Sequence, residues 1–183
     1  MLGGFVSGLP DFAWNWILHS EGDKEVFDTG LRSIYGISER AHPEAWANGA
    51  PSWQSAREIY AGDYWLKHHC DMMPIWAAML LFDGVVQHSP SVAVRIFQRS
   101  IGSTDDGVVG PKTVAAAKFA IPKTTIPLYL ADRADYYASL TRTNRKFMPY
   151  SRGWFARLFR LQAFIIDECG RLTPEFTCDG GVA

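Results

Sequence analysis

Apolar residues along this chain recur mostly at helical spacing. In Asp11 to Ser20 the pairs Phe12/Trp16, Ala13/Ile17 and Trp14/Leu18 stand four apart, the spacing of neighbours on one helix face. Gly22 is placed to end that helix. From residue 21 to 38 the periodicity is lost. Gly22, Gly30 and Gly36 fall among acidic residues, Ser and Thr, which predicts a loop or short hairpin. Pro43 to Ala47 fits a helical turn, and Ser52 to Lys67 fits a helix with Ser52 as its N-cap. Pro74 opens a helix whose stripe is Ile75, Met79, Phe82 and Val86, widened by Ala78 and Leu80. Ser89-Pro90 reads as the cap and first position of the next helix, with Val92, Ile96 and Phe97 as its stripe and Gly102 as its stop. Asp106-Gly107 marks a turn, and Gly110-Pro111 starts a helix that Pro122 breaks. Ile126 to Lys146 is predicted as a long amphipathic helix, Pro149 to Gly153 as a break and Trp154 to Cys169 as the last helix. A frayed tail follows Gly170. The pattern predicts a mainly α protein without internal repeats.

The length, 183 residues, suits one domain or one and a half. A hydrophobic fraction of 48% argues for a folded core and against disorder. The net charge of −1 excludes a strongly basic nucleic-acid binder on bulk charge. The charge is unevenly spread: residues 1–110 carry 7 basic and 13 acidic side chains, and residues 111–183 carry 11 and 6. Between Arg142 and Arg160 stand six basic residues and no acid. That run is either a solvated helical face or a patch for an anionic surface.

The three cysteines, Cys70, Cys169 and Cys178, are odd in number and form no C-x-x-C pair. They indicate neither a zinc site nor a disulfide framework, and a Cys169–Cys178 bridge stays open as an alternative to reduced thiols. His68-His69 does not make a metal pair, because adjacent helical residues do not face together. No metal and no cofactor are expected. The start of the chain lacks the basic residues and unbroken apolar run of a secretory signal, and no stretch reaches the length of a membrane span.

Glu21 stands where an aromatic helix gives way to a loop that supplies Asp23, Glu25, Asp28 and Ser33. A carboxyl with apolar neighbours on one side and solvent on the other is partly desolvated, which favours the protonated form a general acid must hold. Two carboxyls flanking an aromatic-walled groove suffice to cleave a glycosidic bond. A Glu-Gly at a helix end is more often only a C-terminus.

These residues lie in an ordered series of motifs. Ile17-Leu18-His19-Ser20-Glu21-Gly22 is followed by Asp28-Thr29-Gly30 and Tyr35-Gly36-Ile37-Ser38. Further on come Ile59-Tyr60 with Tyr64-Trp65, Phe82-Asp83 with Val86, Asp106-Gly107-Val108-Val109-Gly110-Pro111-Lys112-Thr113, and Gly153-Trp154 with Arg157. The series resembles glycoside hydrolase family 108, the muramidases of the phage endolysin and secretion-activator type. The resemblance implies a lysozyme-like helical fold with a small β-hairpin after the catalytic Glu. It implies a muramidase part over 1–100 and a helical peptidoglycan-binding part over 101–183 packed on it, or one continuous domain. It also implies cleavage of the β-1,4 bond between N-acetylmuramic acid and N-acetylglucosamine. Glu21 would be the general acid, Asp28 the second polar group and Ser33 a water holder. Tyr35, Tyr64, Trp65, Asp83 and Gln87 would contact substrate. Peptidoglycan is the expected partner, with an anionic outer envelope meeting Arg142, Arg145, Lys146 and Arg152. No nucleic acid is expected, and the chain would act as a monomer. An endolysin of this kind would wait in the host cytoplasm until a holin releases it to the cell wall.

The chain departs from the family pattern in places. Asp23-Lys24 stands for a second Gly and a Tyr, Ser33-Ile34 for Thr-Asn, and Gln87 for Asn. Two further readings therefore stay open: a lytic transglycosylase, which needs only one carboxyl, and a non-catalytic wall-binding protein.

Overall fold

The computed structural model describes residues 8–28 and 30–172. It falls into two compact units, residues 1–67 and 68–183. The helices over 75–87 and 90–100 pack with the C-terminal helices in the second unit.

In the first unit, α1 (Asp11–Glu21) turns Ala13, Trp14, Trp16 and Ile17 inward. It stops at Gly22, whose φ of 81° few other residues adopt and whose N–H donates to the Leu18 carbonyl at 3.0 Å. Three short antiparallel strands follow in a meander: β1 (Val26–Asp28), β2 (Leu31–Ile34) and β3 (Ile37–Ser38). This is the hairpin expected after Glu21, extended by one strand. Asp28 pairs with Leu31, and Ile34 with Ile37. The second turn, Tyr35-Gly36, has φ of 54° and 74°, the double positive φ of a type I′ hairpin turn. A single turn, Pro43–Trp46, leads to α2 (Trp53–Ile59), where Ser52 Oγ accepts from the Ser55 N–H at 3.1 Å. The expected helix over 52–67 continues past Ile59, but as a π-helical segment, Tyr60–Leu66. The Lys67 N–H there reaches the Gly62 carbonyl five residues back.

The second unit is all helical among the described residues. After a turn at Cys70–Met72 come α3 (Ile75–Gln87), α4 (Pro90–Ser100), α5 (Pro111–Phe119), α6 (Pro122–Thr143) and α7 (Met148–Leu172), with a further turn at Arg145–Phe147. α3 is not a striped surface helix: every residue from Trp76 to Val85 is buried. A helix apolar on all sides is a central one, and α4, α6 and α7 pack around it. Gly84 permits that closeness, since a Cβ there would lie 2.4 Å from Tyr129 Oη and 3.3 Å from the Ala93 methyl. Tyr129 Oη donates to the Leu80 carbonyl at 2.6 Å.

Two prolines read as breaks are starts instead. Pro122 is the first residue of α6, and Pro149 lies in the first turn of α7, which runs on through Gly153. Proline lacks only an N–H that a first turn leaves unbonded, so it fits there without cost. The loop before α5 is fastened by Gln98, which is 1% exposed. Its amide donates to Asp106 Oδ1 at 2.8 Å and accepts from the Gly107 N–H at 2.8 Å. The Asp106-Gly107 motif is therefore a structural staple. The adjacent histidines differ in setting: His68 is buried and His69 exposed. Cys70 is buried, which pushes its thiol up. A Cys169–Cys178 bridge lies outside the described residues. No described helix is long and apolar enough to cross a membrane.

Candidate active site

The inner face of α1 runs through Trp14 and Ile17 to Glu21, at steps of three and four residues. Glu21 thus ends the helix on its buried side and is itself half-buried. What it packs against is the Tyr35-Gly36 turn. A Cβ built on Gly36 would lie 2.9 Å from Glu21 Cγ and 2.5 Å from Tyr60 Oη. Glycine is required there twice, for its φ of 74° and for the closeness of both side chains. Tyr60 Oη donates to the Tyr35 carbonyl at 2.9 Å. This bond holds a tyrosine at φ 54°, a conformation that costs a non-glycine residue about 1–3 kcal/mol unless its surroundings enforce it.

Aromatic rings close the rest of the site. The Trp14 ring lies 6.0 Å from that of Tyr35 and 6.2 Å from that of Tyr60. The Tyr60 and Tyr64 rings lie 5.4 Å apart. The π-helical segment explains that pair, because its wider turn brings residues four apart nearly into line. Burial, the Asp63 carboxylate and the Glu21 carboxylate all push the Tyr64 phenol up. Tyr64 is therefore close enough to sense the charge of Glu21.

Of the residues expected at the site, the structure brings Glu21, Tyr35 and Tyr64 together. Ser33 is half-buried in β2, opposite Val26 and Ser38 and two residues before the turn. Asp28 closes β1, and its side chain lies outside the described residues. Trp65 is 3% exposed and meets Phe12 edge to face at 6.1 Å. It is a core residue of its unit and not a groove wall.

Asp83 and Gln87 belong to the other unit. Gln87 ends α3 and is half-buried. Asp83 is fully buried and receives two guanidinium groups: Arg133 on Oδ2, and Arg157 Nε on Oδ1 at 2.8 Å. Burial alone would raise this carboxyl, but Arg157 and Arg133 outweigh it and hold the group well below the usual carboxylate range. Arg133 in turn donates to Tyr137 Oη at 2.9 Å and lies between the Tyr129 and Tyr137 rings. Asp83 is the centre of a buried ion pair, which corrects the expectation that it touches substrate. Arg157 thereby leaves the basic patch, while Arg142, Arg145, Lys146 and Arg152 are exposed.

The site residues that sequence reasoning missed are Gly36 and Tyr60. Both stand in motifs quoted above, and Tyr-Gly between two alternating strand positions was the readable sign of the tight turn. Glu39, another carboxyl of this unit, is engaged elsewhere. Arg32 donates to it through two nitrogens, at 2.8 and 3.1 Å, and keeps it below its ordinary range. The same guanidinium lies 4.8 Å over the Trp46 ring, whose N–H donates to the Ile37 carbonyl.

A half-buried carboxyl at a helix end, backed by a glycine turn and walled by tyrosines, suits one member of the carboxyl pair that glycoside hydrolases use. Comparison with known proteins agrees. Residues 14–88 match the family described as Glycosyl hydrolase 108, and residues 92–159 match the one described as Predicted Peptidoglycan domain. A solved structure described as that of SagA from Brucella abortus superposes with a TM-score of 0.67 at 25% identity, over 85% of this chain and 92% of that one. No curated protein matches. The chain thus carries a region similar to glycosyl hydrolase family 108, followed by a region similar to the peptidoglycan domain family. It is a glycoside hydrolase acting on peptidoglycan.

Proposed function

We propose that the chain is an N-acetylmuramidase: it cleaves the β-1,4 bond between N-acetylmuramic acid and N-acetylglucosamine, with Glu21 as general acid. The observation that carries this is the seat of Glu21, half-buried against Gly36 and beside Tyr60 and Tyr64. It lies within the region matched by the hydrolase family. In this reading Glu21 protonates the leaving glycosidic oxygen as positive charge develops on the sugar ring. The faces of Tyr35 and Tyr64 stack on sugar and hold the bond at the acid. Asp28 and Ser33, on the strands that follow, orient the attacking water; a hydroxyl suits that role because it both donates and accepts. The resemblance to phage endolysins supports a role in host lysis, with release from the cytoplasm preceding attack on the wall.

Digestion of purified peptidoglycan with mass spectrometry of the soluble products tests the reading. The expected products end in a reducing N-acetylmuramic acid. Products ending in a 1,6-anhydro sugar would replace it with the transglycosylase reading. Wall binding without any released fragment would replace it with a purely binding role.

A further inference from the structure

Within the region matched by the peptidoglycan domain, α4 and α6 enclose an open cleft of about 390 Å³. Its walls carry opposite charge. α4 presents Arg95 and Arg99, one turn apart, and α6 presents Asp132 and Asp135 with Tyr136. Ile96 lies between the two arginines and forms an apolar floor. The charges are only loosely satisfied by one another. Arg99 is 3.5 Å from Asp105 Oδ2 and 3.6 Å from Asp132 Oδ2, beyond the 2.7–2.9 Å or so of a good charged hydrogen bond. Asp135 and the Tyr136 hydroxyl make no hydrogen bond or ion pair among the described residues. Arg95, also in the cleft wall, donates to the Asp105 carbonyl.

A cationic wall facing an anionic wall over an apolar floor does not suit a simple anion, because the carboxylates would repel it. It suits a group bearing both charges at the end of an alkyl chain. We propose that this cleft binds the zwitterionic end of a diamino-acid side chain in a peptidoglycan stem peptide, where one carbon carries an ammonium and a carboxylate. The carboxylate would meet Arg95 and Arg99, the ammonium would meet Asp132 and Asp135, and the methylenes would lie on Ile96. The inference rests on peptidoglycan being the partner and adds which part of it this region reads. It would make the chain selective for walls whose stem peptides end in such a group.

The test is a titration of the isotope-labelled full chain with the tripeptide L-Ala-γ-D-Glu-meso-diaminopimelate, followed by NMR. The lysine tripeptide, which keeps the ammonium but lacks the terminal carboxylate, is the comparison ligand. Shifts confined to α4 and α6, with at least tenfold weaker binding of the lysine peptide, are expected. Arg99→Gln and Asp132→Asn should each weaken the first peptide at least tenfold, and Lys123→Ala, exposed and away from the cleft, should not. Equal binding of the two peptides, binding of inorganic phosphate in place of either, or no shift in α4 and α6 would overturn the proposal. The two-ligand comparison stands even if a variant misfolds. Glu21→Gln should bind the peptide normally. If that variant also digests the wall normally, the muramidase reading fails while the cleft stands.

Discussion

The first compact unit holds Glu21 half-buried at a helix end, against a glycine and beside tyrosines, whereas the second holds Asp83 without exposed surface between Arg133 and Arg157. Both are carboxyls near the buried side of an α-helix, and both stand in motifs that pointed to a substrate groove. Their surroundings give them opposite uses. Two guanidiniums fix Asp83 as an anion, and a carboxyl so committed can neither give up nor accept a proton near neutral pH. It organises α3, α6 and α7. Glu21 sits beside phenol groups where an aromatic wall meets solvent, and there a carboxyl can reach a sugar. The comparison teaches that a motif carboxyl must be judged by the charges that face it.

The largest effect should come from the second unit. Asp83→Ala leaves two buried guanidiniums without their carboxylate and should destabilise the protein by about 3–5 kcal/mol, read from urea unfolding. A loss under 1 kcal/mol would mean that the ion pair is not structural, and the contrast with Glu21 would break.

Gly36 tests the other side. Gly36→Ala drives a methyl into Tyr60 Oη and Glu21 Cγ. A displacement of 1 Å at a catalytic group costs about 10²-fold, so lytic rate should fall by that order while the fold survives. Gly30→Ala, also at positive φ but with nothing within 4 Å, should cost about 1 kcal/mol of stability and little activity. Similar activity losses in the two variants would mean that the closeness to Glu21 is irrelevant.

His88 sharpens the picture of the buried cluster. Its ring contacts Tyr136 and Tyr137, and burial together with the nearby Arg133 cation pushes the imidazole down to about 3. The unfolded chain takes up this proton near pH 6.5, so between that pH and about 3 the unfolded state binds more protons. The contribution is fully present above pH 6.5 and is lost as pH falls, by up to about 1.4 kcal/mol per unit. His88→Gln should flatten stability over that window in thermal melts at several pH values; an unchanged slope would show that His88 is not held neutral.

The smallest effect belongs to the exposed basic residues. Neutralising Arg145, Lys146 and Arg152 together should weaken binding to anionic cell walls a few-fold at low salt, with the difference vanishing near 1 M, where the screening length is about 3 Å. Pull-down of wall fragments across salt concentrations measures this, and a salt-independent result would leave the stretch a solvated face.

Much of this was legible in the sequence. Helix positions followed from spacing, Gly22, Ser52 and Gly110-Pro111 marked ends correctly, and the irregular stretch after Glu21 foretold the small sheet. Pro122 and Pro149 were misread because a proline in a first turn and one that breaks a helix look alike without knowledge of which N–H groups are bonded. The stripe on α3 was too narrow because periodicity cannot reveal that three helices surround one. That Glu21, Tyr35 and Tyr64 stand near one another was readable from motifs, but the burial of Asp83 and Trp65 was not. Arg133 lies 50 residues and Arg157 lies 74 residues beyond Asp83, and no local pattern announces such partners. Gly36 and Tyr60 were hidden for the same reason: their importance lies in closeness to Glu21 across a turn.

The central claim is that Glu21 donates the proton. Glu21→Gln keeps the size and hydrogen-bonding shape of the side chain but cannot deliver a proton. Turbidity clearance of purified peptidoglycan by this variant should fall by at least about 10²-fold, the lower end of what general acid–base catalysis contributes. Its unfolding free energy should stay within about 0.5 kcal/mol of the parent, and Glu25→Gln, exposed on the following loop, should clear like the parent. A folded Glu21→Gln protein that keeps most of its lytic activity would contradict the account.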